Sequence, residues 1–383
     1  MSGPLAGIRI LEIGHMLAGP YSGLLLSDLG ADVIKIEPRE GDIGRKVSPH
    51  SAGPHNEYFA SLNRNKRSVV IDLASKEGQA QFHALARSAR ALITNLRPSA
   101  IRKLGLTYDT LRSVNPGIVC VALTGFGIDS PYVDRPAYDY VIQAMTGVMQ
   151  LTGEPDSPPT KTGYSAVDNS AGIMGALGLV AKLVEGKGGQ VDVAMYDVML
   201  SQLNYIASAW LNAGARPRRY AQSAHPYMVP AQVFPTGDGW LTLFITHDDF
   251  WRRFCLECGR PQWLTDEKFA TMEARRANRE AVVAAIAEVL QTSPARDWSA
   301  RLAPLGVVAA EVSTLEDALV SEQVEARRMV VDIPAGDTTI RSIGNPLKIA
   351  GQAETFLPPP LLGEHNELLN ELLIGPMAEI NPP

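Results

Sequence analysis

The sequence has few cysteines, no excess of basic residues and no long apolar run. Three cysteines in 383 residues cannot form a disulfide framework, which fits a reducing compartment. A net charge of -6 at pH 7 argues against a nucleic-acid partner, because phosphates require a basic protein face. No run approaches the roughly 18 apolar residues of a membrane span, and residues 1–17 do not resemble a signal peptide. We therefore expect a soluble cytoplasmic protein with no nucleic-acid and no membrane partner.

Two short motifs lack the residues that other chemistries require. Cys255 and Cys258 form a lone C-x-x-C without the second ligand pair of a structural zinc site, inside a segment of helical apolar spacing. We interpret them as buried structural cysteines. Residues 14–20 (GHMLAGP) match neither G-x-G-x-x-G nor a P-loop, which disfavours a nicotinamide or ATP enzyme. Their two glycines indicate either a tight turn or a ligand-binding loop at a helix start.

Short β-rich runs alternate with helical stretches through the first half of the chain. Strands are predicted at Ile8–Ile13, Asp32–Glu37, Ser68–Leu73, Ala91–Asn95 and Ile118–Thr124. Helices predicted between them include Pro20–Leu29, Lys76–Ala89 and Ser99–Leu104. This alternation indicates an α/β fold with a Rossmann-like parallel sheet covered on both faces. Ligands are expected at the carboxyl ends of the strands.

The rest of the chain predicts three segments. Helices are predicted at Tyr138–Met149, Asp168–Glu185 and Tyr196–Leu211, and a strand at Trp240–Ile245 opens a smaller α+β unit. We predict a large α/β domain at 1–228 and a small α+β domain at 229–333. An extended tail at 334–383, with a last helix at Glu364–Leu373, is expected to return to the large domain.

Three polar residues are candidates for a functional site. Asp168 precedes a helix rich in glycine and alanine, so it is either a helix cap or a carboxylate at a positive helix end, where small residues admit a ligand. His15 lies at the mouth of the first strand, where ligands collect. His225 lies in an irregular segment and either binds substrate or holds a loop.

Seven segments taken together resemble the class III CoA-transferases, a family that also contains 2-methylacyl-CoA racemases. They span nearly the whole chain: 5–12 (LAGIRILE), 30–37 (GADVIKIE), 63–68 (NRNKRS), 95–98 (NLRP), 137–144 (AYDYVIQA), 190–197 (QVDVAMYD) and 361–365 (LLGEH). The resemblance implies that Asp168 is the catalytic nucleophile. It also implies that acyl-CoA is bound by His15, Met16, Leu17, Ala18, Arg39, Ile71, Asn95, Arg97, Ala100, Lys103 and Tyr138.

Departures from the family pattern narrow the activity. Pro136 stands where formyl-CoA transferase has a lysine, and residues 223–230 lack that enzyme's glycine run, so oxalate-for-formate exchange is disfavoured. Tyr138 stands where the racemases have a histidine, and a phenol of pKa near 10 is a poor base for an α-proton. Residues 131–159 and 225–230 look most like transferases acting on small dicarboxylates, such as acetyl-CoA:oxalate transferases.

The resemblance therefore implies transfer of CoA from an acyl-CoA to a small carboxylic acid through an aspartyl mixed anhydride and an aspartyl-CoA thioester. This chemistry needs no metal and no permanently bound cofactor, because the CoA thioester is itself a substrate. The family also implies an interlocked homodimer. A 2-methylacyl-CoA racemase and a non-catalytic acyl-CoA-binding protein remain as alternatives. For the groups that hold the acceptor acid, His15, Arg39 and His225 are candidates.

Overall fold

A computed structural model of the chain describes residues 3–374. These residues form two compact units. The first unit comprises the described residues of 1–146, 162–211 and 322–383, and the second comprises 147–161 and 212–321.

The described residues form four β-sheets, of which one is parallel and three are antiparallel. The strands in chain order are β1 Arg9–Ile13, β2 Asp32–Glu37, β3 Ser51–Ala52, β4 His55–Asn56, β5 Arg67–Val70, β6 Ala91–Thr94, β7 Val119–Thr124, β8 Gly189–Ala194, β9 Ala231–Pro235, β10 Trp240–Phe244, β11 Val308–Glu311, β12 Val330–Ala335 and β13 Thr338–Ile343. Six of them form a parallel sheet in the order β5-β2-β1-β6-β7-β8. This sheet confirms the predicted α/β fold.

Helices connect and cover these strands. In chain order they are α1 Ala18–Asp28, α2 Glu57–Asn63, α3 Lys76–Ser88, α4 Pro98–Lys103, α5 Tyr108–Leu111, α6 Asp139–Met145, α7 Val148–Leu151, α8 Ala166–Glu185, α9 Met195–Gln202, α10 Asn204–Ala213, α11 Asp248–Glu257, α12 Met272–Ala277, α13 Arg279–Leu290, α14 Ala295–Leu302, α15 Leu315–Leu319, α16 Glu322–Ala326 and α17 Glu367–Ile374. Short 3₁₀ turns occur at Ile43–Lys46, Ala221–Ser223, Pro261–Leu264 and Ala303–Leu305.

The order of strands in the parallel sheet creates a switch point. The chain starts at β1, winds outward through β2 to β5, and then returns to the other side of β1 for β6, β7 and β8. The connections on the two sides therefore diverge between β1 and β6, which opens a crevice at the carboxyl ends of these strands. The turn after β1 and the turn after β6 both meet there. Every residue of β6 and β7 is buried, as expected for central parallel strands.

The observed units do not follow the predicted domain bounds. Residues 147–161 belong to the second unit, where the Arg219 guanidinium donates to the carbonyl oxygens of Met149 (2.8 Å), Gln150 (3.0 Å) and Glu154 (3.1 Å). The predicted boundary at 333 falls inside β12, which pairs with β13. This hairpin packs in the first unit through a small apolar cluster that contains Ala60, Val331, Ile333, Ala335 and Ile340. Both differences arise from contacts between residues far apart in the chain.

The second unit has its own antiparallel sheet and aromatic core. Its strands lie in the order β11-β10-β9. The Trp251 and Trp263 rings stack with centroids 5.8 Å apart, and Trp263 stacks on Phe269 at 5.1 Å. Cys255 and Cys258 are buried in this core at the end of α11. Burial raises the pKa of each thiol to about 12, which supports the structural interpretation of the C-x-x-C pair.

Among the described helices, α8 is the one that is long and apolar enough to span a membrane by length and composition. It packs along α1 and against β7 and β8 of the parallel sheet. These contacts bury one face of α8, and 33% of its most apolar 18-residue window is buried in the single chain.

Candidate active site

The turn between β1 and α1 is fixed from two sides. Asn95, which directly follows β6, accepts a hydrogen bond from the His15 N–H (3.0 Å) and donates one to the His15 carbonyl oxygen (2.9 Å). Met16 adopts a left-handed conformation with φ of 62°, and its N–H donates to Asp42 Oδ1 (3.1 Å). A Cβ atom at Gly14 would lie 2.2 Å from Asn95 Oδ1, so only glycine allows this approach. Close packing against Asn95 therefore accounts for the glycine at 14.

A fully buried charge network lies behind this turn. The Lys35 ammonium lies 2.8 Å from Glu12 and 2.8 Å from Asp42, and the Lys66 ammonium lies 2.7 Å from Glu12. Burial by itself lowers the pKa of Lys35, but the nearby carboxylates outweigh it and raise the pKa above its usual range. For Lys66, burial prevails over the attraction of Glu12 and lowers the pKa to about 8. Since Asp42 also accepts a hydrogen bond from the Met16 N–H, the network helps to position the turn between β1 and α1.

Asp168 is the third residue of α8 and does not cap it. The N-cap residue is Ser165, so the interpretation of Asp168 as a helix cap is wrong. The first turn of α8 is held instead by Asp139, which accepts from the Val167 N–H at 2.8 Å and from the Gln143 amide at 2.6 Å. Asp168 itself is partly buried. Its side chain is therefore left to face the adjoining cavity.

The environment of Asp168 favours its protonated form. Burial is the main cause, and the negative charge of Asp139 adds to it, so that the pKa of Asp168 rises from 3.8 to about 7. The pKa of the nearby Tyr58 is shifted as well. Its burial, and next the charge of Asp168, raise the pKa of the phenol to about 12. Strongly shifted pKa values in a cavity are typical of functional sites.

Small residues of α8 serve helix packing. A Cβ atom at Gly172 would lie 2.9 Å from the Ala18 carbonyl oxygen, and one at Gly175 would lie 2.8 Å from the Leu123 side chain. The sequence interpretation assigned these residues to the approach of a ligand. Their observed role is to bring α8 close to α1 and β7, which places Asp168 beside the turn after β1.

A cavity of about 200 Å³ contains Asp168. Seven of the residues predicted to bind CoA line it as well, namely His15, Met16, Leu17, Ala18, Asn95, Arg97 and Tyr138. The sequence interpretation missed several other lining residues, among them Tyr58, Phe126, Arg135 and Met195. Tyr58 and Met195 lie far from the predicted site segments in the chain, whereas Arg135 adjoins Pro136, at which the family pattern was already seen to change.

A second, larger cavity of about 570 Å³ lies beside the first and shares His15 and Leu96 with it. It is formed at the ends of β1, β2 and β5, and it contains the predicted residues Arg39 and Ile71. Ala100 and Lys103 lie on α4 and line neither of these two cavities. The structure thus brings most of the predicted residues to two adjacent cavities at the switch point of the sheet.

His225 belongs to the second unit and holds its own loop. Its Nδ1 atom accepts from the N–H groups of Tyr227 (3.1 Å) and Met228 (3.3 Å). Burial, and next the charge of Arg279, lower the pKa of the imidazole. These contacts support the loop-holding interpretation of His225. Within residues 3–374, no group of three or more His, Cys, Asp or Glu side chains has the arrangement of a metal site.

A desolvated carboxylate, adjacent backbone N–H groups at the start of α1 and a second large cavity suit a covalent acyl-transfer site. Known proteins similar to this chain include CoA-transferases. The succinate–glutarate CoA-transferase of Agrobacterium fabrum is 37% identical over 96% of both chains. The acetyl-CoA:oxalate CoA-transferase of Acetobacter aceti is 34% identical over 98% of this chain and 97% of that one.

Solved structures show the same fold. A CAIB/BAIF family protein from Brucella suis matches with a TM-score of 0.85 and 33% identity, covering 97% of this chain and 100% of that one. The sequence pattern of CoA-transferase family III matches residues 5–366. The chain therefore belongs to CoA-transferase family III.

Proposed function

We propose that this enzyme transfers CoA from an acyl-CoA to a small dicarboxylic acid, with Asp168 as the covalent nucleophile. The observation that carries the proposal is the position of the Asp168 carboxylate, which is desolvated and lines a cavity together with the turn after β1. The relatives named above act on succinate and glutarate in one case and on oxalate in the other, which supports a dicarboxylate. A carboxylate of raised basicity that has lost part of its hydration is a better nucleophile than one in water.

The proposed reaction exchanges acyl and CoA groups on Asp168 in four steps. An Asp168 oxygen attacks the thioester carbonyl, the C–S bond breaks, and CoA leaves as a thiolate from a mixed anhydride. The thiolate attacks the aspartyl carbonyl and expels the donor carboxylate, which leaves an aspartyl-CoA thioester. The acceptor carboxylate attacks this thioester, releases the thiolate again and forms a second anhydride. Attack of the thiolate on the acceptor carbonyl gives the new acyl-CoA and restores the Asp168 carboxylate.

Each attack creates a negative oxygen that needs hydrogen-bond donors. Leu17 and Ala18 line the cavity with Asp168 and lie at the start of α1, where backbone N–H groups point out of the helix. We assign these N–H groups to the developing oxyanion. The larger cavity, with Arg39 and Ile71, suits the remainder of the CoA molecule, because the two cavities share His15 and Leu96.

The test is hydroxylamine trapping followed by peptide mass spectrometry. The protein is incubated with acetyl-, succinyl- and oxalyl-CoA, and hydroxylamine then attacks the activated aspartyl carbonyl. We expect a hydroxamate on Asp168 and none in Asp168→Asn. Asp197→Asn is the matched control, because Asp197 is also the third residue of a helix, is exposed and lies outside both cavities. It should label as the wild type does.

Two results would reject the proposal. One is binding of CoA without any hydroxamate and without any effect of Asp168→Asn, which would indicate a non-catalytic acyl-CoA-binding protein. The other is deuterium exchange at the α-carbon of a 2-methylacyl-CoA without any acceptor acid. That exchange would indicate a racemase.

We also propose that two copies form an interlocked homodimer. Apolar side chains of α8 are exposed on the single chain, with Ile173 50%, Met174 42% and Leu177 58% accessible. Exposed apolar surface of this kind is typical of an interface. Light scattering should give twice the 41.3 kDa chain mass. Interlocked chains cannot exchange without unfolding, so mixing tagged and untagged dimers under native conditions should yield no mixed dimer. Rapid exchange would contradict interlocking.

A further inference from the structure

We infer that Arg135 binds the second carboxylate of the acceptor acid and thereby selects dicarboxylic over monocarboxylic acids. Arg135 lines the same cavity as Asp168. It lies on the connection between β7 and α6. This inference rests on the proposed function, because it assigns a group to the acid that Asp168 activates.

The guanidinium of Arg135 rests against a pair of aromatic rings. Its Cζ atom lies 6.0 Å from the Phe126 ring centroid and 5.6 Å from that of Tyr132. The two rings contact each other edge to face at 5.5 Å, and Phe126 is buried and lines the cavity. Contact with aromatic faces stabilises a guanidinium while leaving its planar N–H groups available to an anion.

No carboxylate neutralises Arg135 among the residues that the structure describes. Some arginines of the first unit are paired, as Arg45 is to Glu37 at 2.7 Å and Arg64 is to Asp28 at 2.5 Å. Arg97, which lines the same cavity, has no ion pair within residues 3–374. Arg135 has no such ion pair within 4.0 Å in residues 3–374, although Asp134 directly precedes it. The cavity that contains Asp168 is therefore lined by an arginine whose charge no described carboxylate neutralises.

A diacid needs such a cation. One carboxylate of the acid must attack the aspartyl thioester, and the other keeps its charge in the same cavity. A carboxylate that loses water without gaining a partner is costly, whereas a guanidinium can bind it through two parallel hydrogen bonds. The first cavity, at about 200 Å³, is small, which keeps the second carboxylate of a short diacid near its walls.

The position of Arg135 favours the acid over CoA as its ligand. Arg39 lies in the larger cavity, and Arg97 follows Leu96, the residue at which the two cavities meet. Arg135, like Arg97, lines the first cavity and is absent from the lining of the second, but neither of its neighbours in the chain lines the second cavity. We therefore assign Arg135 to the acid and Arg97 to CoA.

The test compares acids of equal chain length that differ by one carboxylate. Transfer from acetyl-CoA to succinate and butyrate, and to glutarate and valerate, is measured in the wild type and in Arg135→Gln. We expect kcat/KM for the diacids to fall by roughly 10- to 100-fold, the loss that follows removal of a charged hydrogen-bond pair. Values for the monoacids and the hydroxamate yield from acetyl-CoA should stay as in the wild type.

Three further variants complete the comparison. Arg97→Gln should raise the KM for acetyl-CoA by the same factor with diacid and monoacid acceptors, since Arg97 is predicted to bind CoA. Arg112→Gln removes an exposed arginine paired to Asp109 and should leave every rate unchanged. Arg135→Lys keeps the charge but not the planar fork and should restore part of the diacid rate. Matching melting temperatures show that the variants fold.

Equal losses for diacids and monoacids in Arg135→Gln, or a raised KM for acetyl-CoA alone, would overturn the inference. Failure of the proposed function has a different signature, namely no hydroxamate and no transfer in the wild type. Succinate binding is then measured by calorimetry. Binding that is lost in Arg135→Gln would support Arg135 as the carboxylate site, and equal or absent binding in both proteins would reject it.

Discussion

Replacing Asp168 by asparagine is expected to stabilise the protein at neutral and alkaline pH while abolishing activity. The pKa of this carboxyl is about 7 in the fold instead of 3.8, chiefly because of burial and secondly because of the Asp139 charge. The folded state therefore binds the proton more tightly than the unfolded state does. By linkage, the free energy of unfolding of the wild type falls as pH rises between about 4 and 7 and then stays level.

The size of this effect follows from the pKa difference. A carboxyl whose pKa is about 7 in place of 3.8 costs about 4 kcal/mol of stability above pH 7, at about 1.4 kcal/mol per tenfold change. Asp168 is partly exposed, and the water around it screens part of this cost, so we expect about 2 kcal/mol. Asparagine has nearly the same shape and carries no charge, so it removes the cost without leaving a cavity.

The assay is urea unfolding, or the melting temperature at fixed protein concentration, at pH 5 and pH 8.5. Asp168→Asn should exceed the wild type in stability at pH 8.5, and its advantage should shrink at pH 5. Asp197→Asn should show no such dependence, because its carboxylate is exposed. A stabilisation by Asp168→Asn that is equal at both pH values, or none at all, would refute a desolvated carboxylate with a pKa near 7.

Three other perturbations test the surroundings of the nucleophile. In Asp139→Asn the pKa of Asp168 should fall, because a negative neighbour is lost, so the loss of hydroxamate formation on acidification should move to lower pH; an unchanged pH profile would contradict this. Asn95→Ala removes both hydrogen bonds to His15 and should raise the KM for acyl-CoA at least several-fold, at a stability cost of about 1–3 kcal/mol; an unchanged KM in steady-state kinetics would contradict the role of this clamp. Glu12→Gln leaves two buried lysines with one carboxylate fewer and should cost about 3–5 kcal/mol in denaturant unfolding, and a loss below 1 kcal/mol would show that the network is dispensable.

Local periodicity predicts five of the six strands of the parallel sheet. The five predicted strands all occur, with ends shifted by at most a few residues, because each is an apolar run bounded by polar residues. The sixth strand, β8 (GQVDVA), was not predicted. It lies at the edge of the sheet and is mostly part-exposed, so it lacks the continuous apolar character of the buried strands. The antiparallel hairpin of β12 and β13 was missed as well, and with it the correct end of the second unit.

The site shows a similar division between what a sequence can and cannot predict. The position of Asp168 at the start of a helix and the turn after β1 follow from local patterns together with the family resemblance. The side chains that surround Asp168 and shift its pKa cannot be identified from such local patterns. Asp139 reaches the first turn of α8 from α6, and Tyr58 comes from α2, so both act through contacts that no local spacing records.

The geometry links the two requirements of the proposed reaction. The nucleophile must be desolvated to attack a thioester, yet part of it must stay ionised at neutral pH, since a protonated acid does not attack. With a pKa of about 7, roughly half of the Asp168 carboxyl is ionised near neutral pH. The last step of the proposed reaction restores the Asp168 carboxylate beside the second carboxylate of the newly formed acyl-CoA. That second negative charge would raise the pKa of Asp168 further, and the Arg135 guanidinium that we assign to the second carboxylate would offset it.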